Sequence, residues 1–194
     1  MHNHLQQAFR DAAFVLTQVA SDEAILSKTV HAAELIASSI QDNKKVLICG
    51  NGGSACDAMH FAEEFTGRYR KNRRALPVLS LTDPAHITCV ANDFGFEEVF
   101  SRGVEAFGQK GDIFIGLSTS GNSENVIRAV QKAKDKGVHT ISLLGKDGGK
   151  LSSVCDIEFV APGLTADRIQ EAHMTILHII IEGVERLLFP EQYL

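Results

Sequence analysis

A glycine-rich segment follows the first apolar run of the chain and could bind an anion. It spans residues 49–64, CGNGGSACDAMHFAEE, and contains Gly50, Gly52 and Gly53. These glycines allow a sharp turn and a close approach of the backbone to a ligand. Ser54 can cap the following helix, whose N-terminus favours anions. Alone, the segment is better explained by a tight strand-to-helix turn. A dinucleotide site is disfavoured because the acid at the next strand end, Asp83, lies too far along the chain.

A second candidate site is the hydroxyl-rich segment STSGNSEN, residues 118–125, which also follows a predicted strand. Four hydroxyls come from Ser118, Thr119, Ser120 and Ser123, and the helix start adds backbone N–H groups. A capped loop needs one hydroxyl only, so this composition favours a phosphate cradle. No lysine follows as in a nucleotide P-loop, and a small phosphate monoester therefore suits the segment better.

Two pairs of side chains could carry proton transfer or bind a metal. His60 and Glu64 are four residues apart on a predicted helix and share a face, although such pairs are common on solvated surfaces. Gln170 and His178 lie on one stripe of the last helix, where polar groups among apolar ones need partners. A satisfied core histidine is the simpler explanation of His178 taken alone. His173 lies off that stripe and is assigned a structural role.

The last candidate segment is VANDFGFEEVF, residues 90–100. Asn92 and Asp93 can bond sugar hydroxyls, and they could equally form an ordinary turn followed by a helix cap.

The elements that must position these residues alternate between strands and helices. Five short apolar runs predict strands: KKVLICG, ALPVLSLT, DIFIGLS, HTISLLG and DIEFVAP. Apolar periodicity predicts helices over residues 54–66, 97–107, 123–136 and 166–188, after two N-terminal helices within residues 1–41. Ser21 is predicted to cap the second of these, and Asp42-Asn43 to end it. The alternation predicts a parallel sheet with helices on both faces, and ligands bind beyond the carboxyl ends of such strands.

The last helix is apolar around nearly its whole circumference between Ile176 and Val184, which predicts burial, in part between subunits.

Composition restricts the class of protein further. The 194 residues fit one domain, 1–194, and the formal net charge of -5 disfavours binding to nucleic acid or anionic lipid by bulk charge. No 18-residue apolar run or secretory signal is present, so no contact with a membrane is expected. The four cysteines form no CxxC pair, which suits free thiols in a reducing cytosol.

Five segments in order, CGNGGSACDAMHFAEEFTGRYR, VANDFGFEEVFSR, LSTSGNSENVI, GKDGGK and ADRIQEAHMTILH, resemble the bacterial phosphoheptose isomerases over nearly the whole chain. The resemblance implies an α/β, three-layer flavodoxin-like (SIS) fold with a parallel five-stranded sheet, N-terminal helices and a long C-terminal helix. It also implies a cytoplasmic homotetramer with active sites at subunit interfaces, in which residues 1–41 pack between subunits. The implied reaction converts D-sedoheptulose 7-phosphate to D-glycero-D-manno-heptose 7-phosphate, an early step towards ADP-heptose and lipopolysaccharide core.

The resemblance further implies roles for individual residues. Zn²⁺, one per subunit, would be bound by His60, Glu64, Gln170 and His178. Glu64 and His178 match the acid–base pair. The remaining substrate contacts would be Asn51, Gly52, Gly53, Ser54, Arg68, Asn92, Asp93, Ser118, Thr119, Ser120, Ser123, Asp167 and Gln170, together with Glu64.

The residue chemistry agrees with this activity. A ketose–aldose isomerisation needs a base beside the carbon that loses its proton, an acid for the oxygens and groups that bind the phosphate. Two alternatives remain open. A replication-initiation regulator shares the SIS fold but lacks an equivalent of Glu64, and other SIS isomerases act on different phosphorylated sugars.

Overall fold

The computed structural model describes residues 1–193 and has five parallel strands in the order β2-β1-β3-β4-β5. The strands are β1 (Val46–Gly50), β2 (Val78–Ser80), β3 (Ile113–Ser118), β4 (His139–Gly145) and β5 (Ile157–Ala161). The helices are α1 (His2–Ala20), α2 (Glu23–Gln41), α3 (Gly53–Thr66), α4 (Pro84–Phe94), α5 (Val99–Phe107), α6 (Glu124–Asp135) and α7 (Ala166–Leu188). Short 3₁₀ turns cover Phe96–Glu98, Gly149–Leu151 and Pro190–Gln192. The predicted α/β class and the five parallel strands are confirmed.

Helices cover both faces of the sheet because successive strand residues point to opposite sides. On β1, Val46 and Ile48 belong to a core shared with α1, α2, α3 and α7. Leu47 and Cys49 belong to the opposite core, shared with α4, α5 and α6. Both faces of the central strands are therefore apolar, which explains why these strands read as continuous apolar runs rather than as alternating ones.

The strand order places two candidate segments next to each other. β1 and β3 are neighbours, with Gly50 opposite Leu117, yet the chain leaves β1 towards β2 and leaves β3 towards β4. This is the topological switch point at which flavodoxin-like sheets bind ligands. The glycine turn after β1 and the serine loop after β3 both begin there.

The long last helix has the predicted bounds and is largely buried within its own chain. Ile176, Leu177, Ile180, Ile181 and Val184 are each at most 1% exposed, whereas Ile179 is 49% exposed. Most of the apolar circumference is therefore covered by α2, α3 and the sheet, and Ile179 remains for other contacts. No helix within residues 1–193 is long and apolar enough to cross a bilayer.

Two predicted helix caps, Ser21 and Ser54, are wrong. Ser21 bonds the carbonyl of Thr17, and the cap of α2 is Asp22, which accepts from the N–H groups of Ala24 and Ile25. α3 begins at Gly53, one residue before Ser54, so the hydroxyl of Ser54 cannot cap it. Ser123 occupies the cap position of α6 without bonding a helix N–H group there.

A helix that the sequence did not predict, α4, is capped by Asp83, whose carboxylate accepts from the His86 N–H group. Only Val90 of this helix is fully buried, and Ile87 and Ala91 pack partly buried against the same core. Asn92 and Asp93 lie in its last turn, which corrects the expectation of an ordinary turn with a helix cap at these positions.

We predict that Asp22→Ala lowers the free energy of unfolding by about 1 kcal/mol, because two N–H groups of α2 lose their acceptor. Ser21→Ala is the matched control and should change it by less than about 0.5 kcal/mol. Urea unfolding of both variants measures the difference. Equal losses in the two variants would contradict the assignment of the cap.

Candidate active site

Three side chains converge between the two helices α3 and α7. His60 and Glu64 lie on α3, with His60 Nε2 3.4 Å from Glu64 Oε1. His178 of α7 lies edge-on to His60, with ring centroids 5.0 Å apart. One ligand atom from each of the three lies within 4.8 Å of the other two, and all three side chains are half-buried. The structure thus brings together three of the four residues predicted to bind a metal.

The convergence follows from the packing of α3 along α7. Near their starts, the backbone of Gly53 lies against the Gln170 amide, so a Cβ at Gly53 would fall 2.6 Å from Gln170 Oε1. Two turns later His60 and Glu64 meet His178. The two helices therefore run in the same direction. Tyr69, in the loop after α3, stacks on His178 with a centroid distance of 5.8 Å.

The donor set fits a zinc ion. Two imidazoles and one carboxylate within mutual reach match a common set of protein ligands for catalytic zinc, which leaves a further position open. Burial lowers the pKa of His178, a protonated His60 would lower it further, and Glu64 opposes both effects. The neutral imidazole that this shift favours is the form that binds a metal.

Gln170, the fourth predicted ligand, lies near the start of α7, on the same stripe of the helix as His178 but at its opposite end. Its amide Nε2 is 3.5 Å from Ser54 Oγ, at the start of α3. Gln170 precedes His178 by two helical turns, or about 12 Å along the axis. The side chain would have to rotate towards the cluster to serve as a ligand. In its present position it is placed to contact a ligand at the glycine turn.

The glycine turn is fixed to the start of α6 by a pair of amides. Asn51 and Asn125 each donate Nδ2 to the other's Oδ1, at 2.9 Å in both directions. Gly52 has φ +56, a conformation that side chains rarely adopt. The turn and the serine loop are thereby held in one relative position.

The serine loop is ordered by its own hydroxyls and by the GKDGGK turn. Ser118 donates to Ser123 at 3.0 Å, and Ser120 Oγ accepts from the Asn122 N–H group. A Cβ at Gly121 would fall 1.8 Å from the Gly148 carbonyl oxygen. The GKDGGK turn therefore packs directly against the serine loop. This role was not predicted from the sequence, because nothing in that segment indicates which loop it would contact.

An open pocket of about 450 Å³ lies beside these segments at the switch point. Its lining residues are Asn51, Phe96, Glu97, Ser123, Glu124, Asn125 and Arg128. Arg128 bonds Glu98, and its Nε bonds Glu124 at 3.0 Å, so its charge is partly neutralised. Asn51 and Ser123 are the predicted substrate contacts that reach this pocket.

Four predicted substrate contacts lie on exposed surface of this chain. Asn92 Nδ2 donates to Asp93 Oδ1 at 2.8 Å. Asp167 pairs with Arg168 at 3.1 Å, and a bond from the Thr165 hydroxyl is the largest cause lowering the pKa of this carboxyl. Arg68 lies in the exposed loop after α3. The pocket at the switch point is lined by Phe96 and Glu97 instead of Asn92 and Asp93.

Asp57 is a site neighbour that the sequence reasoning missed. It lies on α3 three residues before His60, and its Oδ2 is buried without a hydrogen-bond partner among residues 1–193. Burial raises the pKa of Asp57 to about 6, against an opposing effect of His60. Its position on the same helical face as His60 and Glu64 was a usable signal, since residues three and seven apart share a face.

Comparison with known proteins defines the class. A sequence model of the SIS domain matches residues 9–145. A phosphoheptose isomerase of Fusobacterium nucleatum is 60% identical over 190 residues, covering 98% of each chain. One from Vibrio cholerae is 53% identical over 183 residues, covering 94% of this chain and 96% of the other.

Solved structures agree with these sequence matches. The structure of a phosphoheptose isomerase from Neisseria gonorrhoeae superposes with a TM-score of 0.89 at 37% identity, covering 95% of this chain and 98% of the other. Fold, motifs and relatives together define a SIS-domain protein of the sugar-isomerase type. Within that class, the chain belongs to the phosphoheptose isomerase family.

His173 has the structural role expected of it, and its burial makes stability depend on pH. Its side chain is fully buried, and Nε2 bonds the Leu144 carbonyl oxygen at 2.7 Å. Burial lowers its pKa to about 4. An unfolded histidine titrates near pH about 6.5. The unfolded state therefore takes up a proton that the folded state excludes, and stability is lost as the pH falls from about 6.5 towards about 4.

We predict that this loss is absent from His173→Gln. Between about pH 7.5 and about pH 5, the wild type should lose about 2 kcal/mol more unfolding free energy than the variant. Urea unfolding of both proteins, with a chelator present throughout, measures the two slopes. Parallel pH profiles would show that His173 is not neutral in the fold.

Proposed function

We propose that this protein isomerises D-sedoheptulose 7-phosphate to D-glycero-D-manno-heptose 7-phosphate, an early step towards ADP-heptose and lipopolysaccharide core. The single observation that carries the proposal is the convergence of Glu64 of α3 and His178 of α7. Relatives at 60% and 53% identity that are phosphoheptose isomerases support the choice of substrate.

The proposed mechanism is proton transfer through an enediol. Glu64 removes the proton from the carbon beside the carbonyl and returns it to the neighbouring carbon. His178, kept largely neutral by burial, gives and takes protons at the two substrate oxygens. Tyr69 stacked on the His178 ring limits its rotation.

The proposed metal is one Zn²⁺ per subunit, bound by His60, Glu64 and His178, with Gln170 as the fourth ligand. A bound zinc ion would polarise the substrate carbonyl and stabilise negative charge on the oxygens. Glu64 is then a weaker base, because a nearby cation favours its ionised form. Glu64 can serve as both ligand and base only if its contact with the metal weakens during turnover.

The proposed substrate-binding site combines the glycine turn after β1 and the serine loop after β3, which meet at the switch point. Hydroxyls and backbone N–H groups of the serine loop would bind the phosphate. The glycine turn would admit the sugar close to the backbone, beside Gln170. The full set is Asn51, Gly52, Gly53, Ser54, Glu64, Arg68, Asn92, Asp93, Ser118, Thr119, Ser120, Ser123, Asp167 and Gln170. Its exposed members, Arg68, Asn92, Asp93 and Asp167, require a site closed by a neighbouring subunit.

We propose a cytoplasmic homotetramer in which residues 1–41 of this single domain pack between subunits. Exposed apolar side chains on α1 support this arrangement, since Leu5 is 56%, Phe9 80% and Phe14 64% exposed. An apolar groove of about 650 Å³ between α1 and α7 has His178 in its lining. A subunit that covered this groove would shield the site from water.

The decisive experiment incubates the purified protein with sedoheptulose 7-phosphate and follows the aldose product by NMR. We expect turnover by the wild type and its loss after treatment with a chelator. Glu64→Gln should lower kcat by about 10²–10⁴-fold while the fold remains intact, because the base is removed. Glu34→Gln is the matched control, since this exposed carboxylate lies on α2, away from the cluster.

An active Glu64→Gln variant would remove the base assignment. A wild type that binds the sugar phosphate without converting it would contradict the proposed activity. Turnover that survives complete removal of metal would restrict the role of zinc to structure.

A further inference from the structure

A buried ion pair holds the end of α3 that carries Glu64. Arg73 lies in the loop between α3 and β2, and its Nε bonds Glu185 of α7 at 2.9 Å, with both side chains 0% exposed. The other guanidinium nitrogens reach carbonyl oxygens at the end of α3. Nη2 donates to Glu64 at 2.6 Å, and Nη1 donates to Phe65 at 2.7 Å and to Gly67 at 2.8 Å.

These bonds satisfy groups that a helix end leaves unpaired. The last carbonyls of an α-helix have no intrahelical partner, and a cation there complements the helix dipole. A guanidinium has five N–H donors in a rigid plane and can serve several carbonyls at once, which a lysine cannot. The turn of α3 that contains Glu64 is thereby fixed to one side chain.

The same ion pair connects that turn to His178. Glu185 follows His178 by seven residues on α7, so both lie on one face of the helix. Arg73 therefore links the backbone of Glu64 to the helix that carries His178. The separation of the proposed base and acid depends on this link as well as on the direct packing of α3 on α7.

The C-terminal segment adds a third member to the network. The Tyr193 hydroxyl donates to Glu185 Oε2 at 2.7 Å, leaving Oε1 for Arg73. Burial, and then the bond to Glu185, raise the pKa of Tyr193 to about 12. Gln192 ties this segment to the loop, because its Nε2 donates to the Asn72 carbonyl at 2.9 Å.

We propose that Arg73, held by Glu185 and Tyr193, is the positioning residue that sets the distance between Glu64 and His178. The inference rests on the isomerase function proposed above. Arg73 reaches Glu64 only through the main chain, so it acts on the geometry of the acid–base pair and not on the substrate. Catalytic groups need to be held to a fraction of an ångström for efficient proton transfer.

The test compares Arg73→Lys and Tyr193→Phe with Arg74→Lys, which alters an exposed arginine next in sequence. We expect kcat to fall about tenfold in Arg73→Lys and about threefold in Tyr193→Phe, with KM within about twofold of wild type. Arg74→Lys should retain both constants. The dissociation constant for zinc, measured by competition with a chromophoric chelator, should rise about tenfold in Arg73→Lys, because two proposed ligands lose their spacing.

Val184→Ala separates positioning from stability. It leaves a cavity beside Glu185 on the same helix and should lower Tm without changing kcat well below that temperature. A loss of Tm in Arg73→Lys with unchanged kcat and zinc affinity would overturn the proposal. Should Arg73→Lys fail to fold, Tyr193→Phe decides, and an unaltered kcat there overturns it. A wild type without isomerase activity would contradict the proposed function, and the zinc affinities would then decide this inference alone.

Discussion

The packing of α3 against α7 is the constraint on which the site depends. Because the two helices run in the same direction, positions along one face the corresponding positions along the other. Gly53 lies against Gln170 at the start, and Glu64, about three turns further along α3, meets His178, about two turns further along α7. Polar groups are thereby placed in line from the glycine turn to the proposed acid–base pair. A phosphorylated sugar is an elongated molecule, and a linear arrangement of contacts suits it.

The strand order of the sheet positions the rest of the candidate site, the glycine turn and the serine loop. Its order places the ends of β1 and β3 side by side, so the two segments proposed to bind the substrate share one edge. Asn51 and Asn125 form hydrogen bonds across this edge, and the GKDGGK turn packs against the serine loop. The proposed phosphate-binding segments are thus held by the sheet, while the proposed acid–base pair is held by α3 and α7.

Much of this could be predicted from the sequence, for identifiable reasons. Strands buried on both faces read as continuous apolar runs, and each ended at a glycine, serine or other turn residue, so five strands and the motifs after them were predictable. The cap at Ser21 was predicted wrongly, because Ser21 and Asp22 are both good caps and only the backbone angles decide. α4 was missed although Ile87, Val90, Ala91 and Phe94 follow helical spacing, because this apolar pattern covers only about two turns. Asp57 and the GKDGGK turn depend on contacts between segments distant in sequence, which spacing alone does not reveal.

A double-mutant cycle on kcat/KM with Glu64→Gln and His178→Gln tests the central claim most directly. The claim is that the two side chains act as one unit on the same substrate, Glu64 at its carbons and His178 at its oxygens. Residues that act as a unit have strongly non-additive effects. The account predicts that the double variant is little worse than the poorer single variant. Effects that multiply independently would show that Glu64 and His178 do not share one reaction centre.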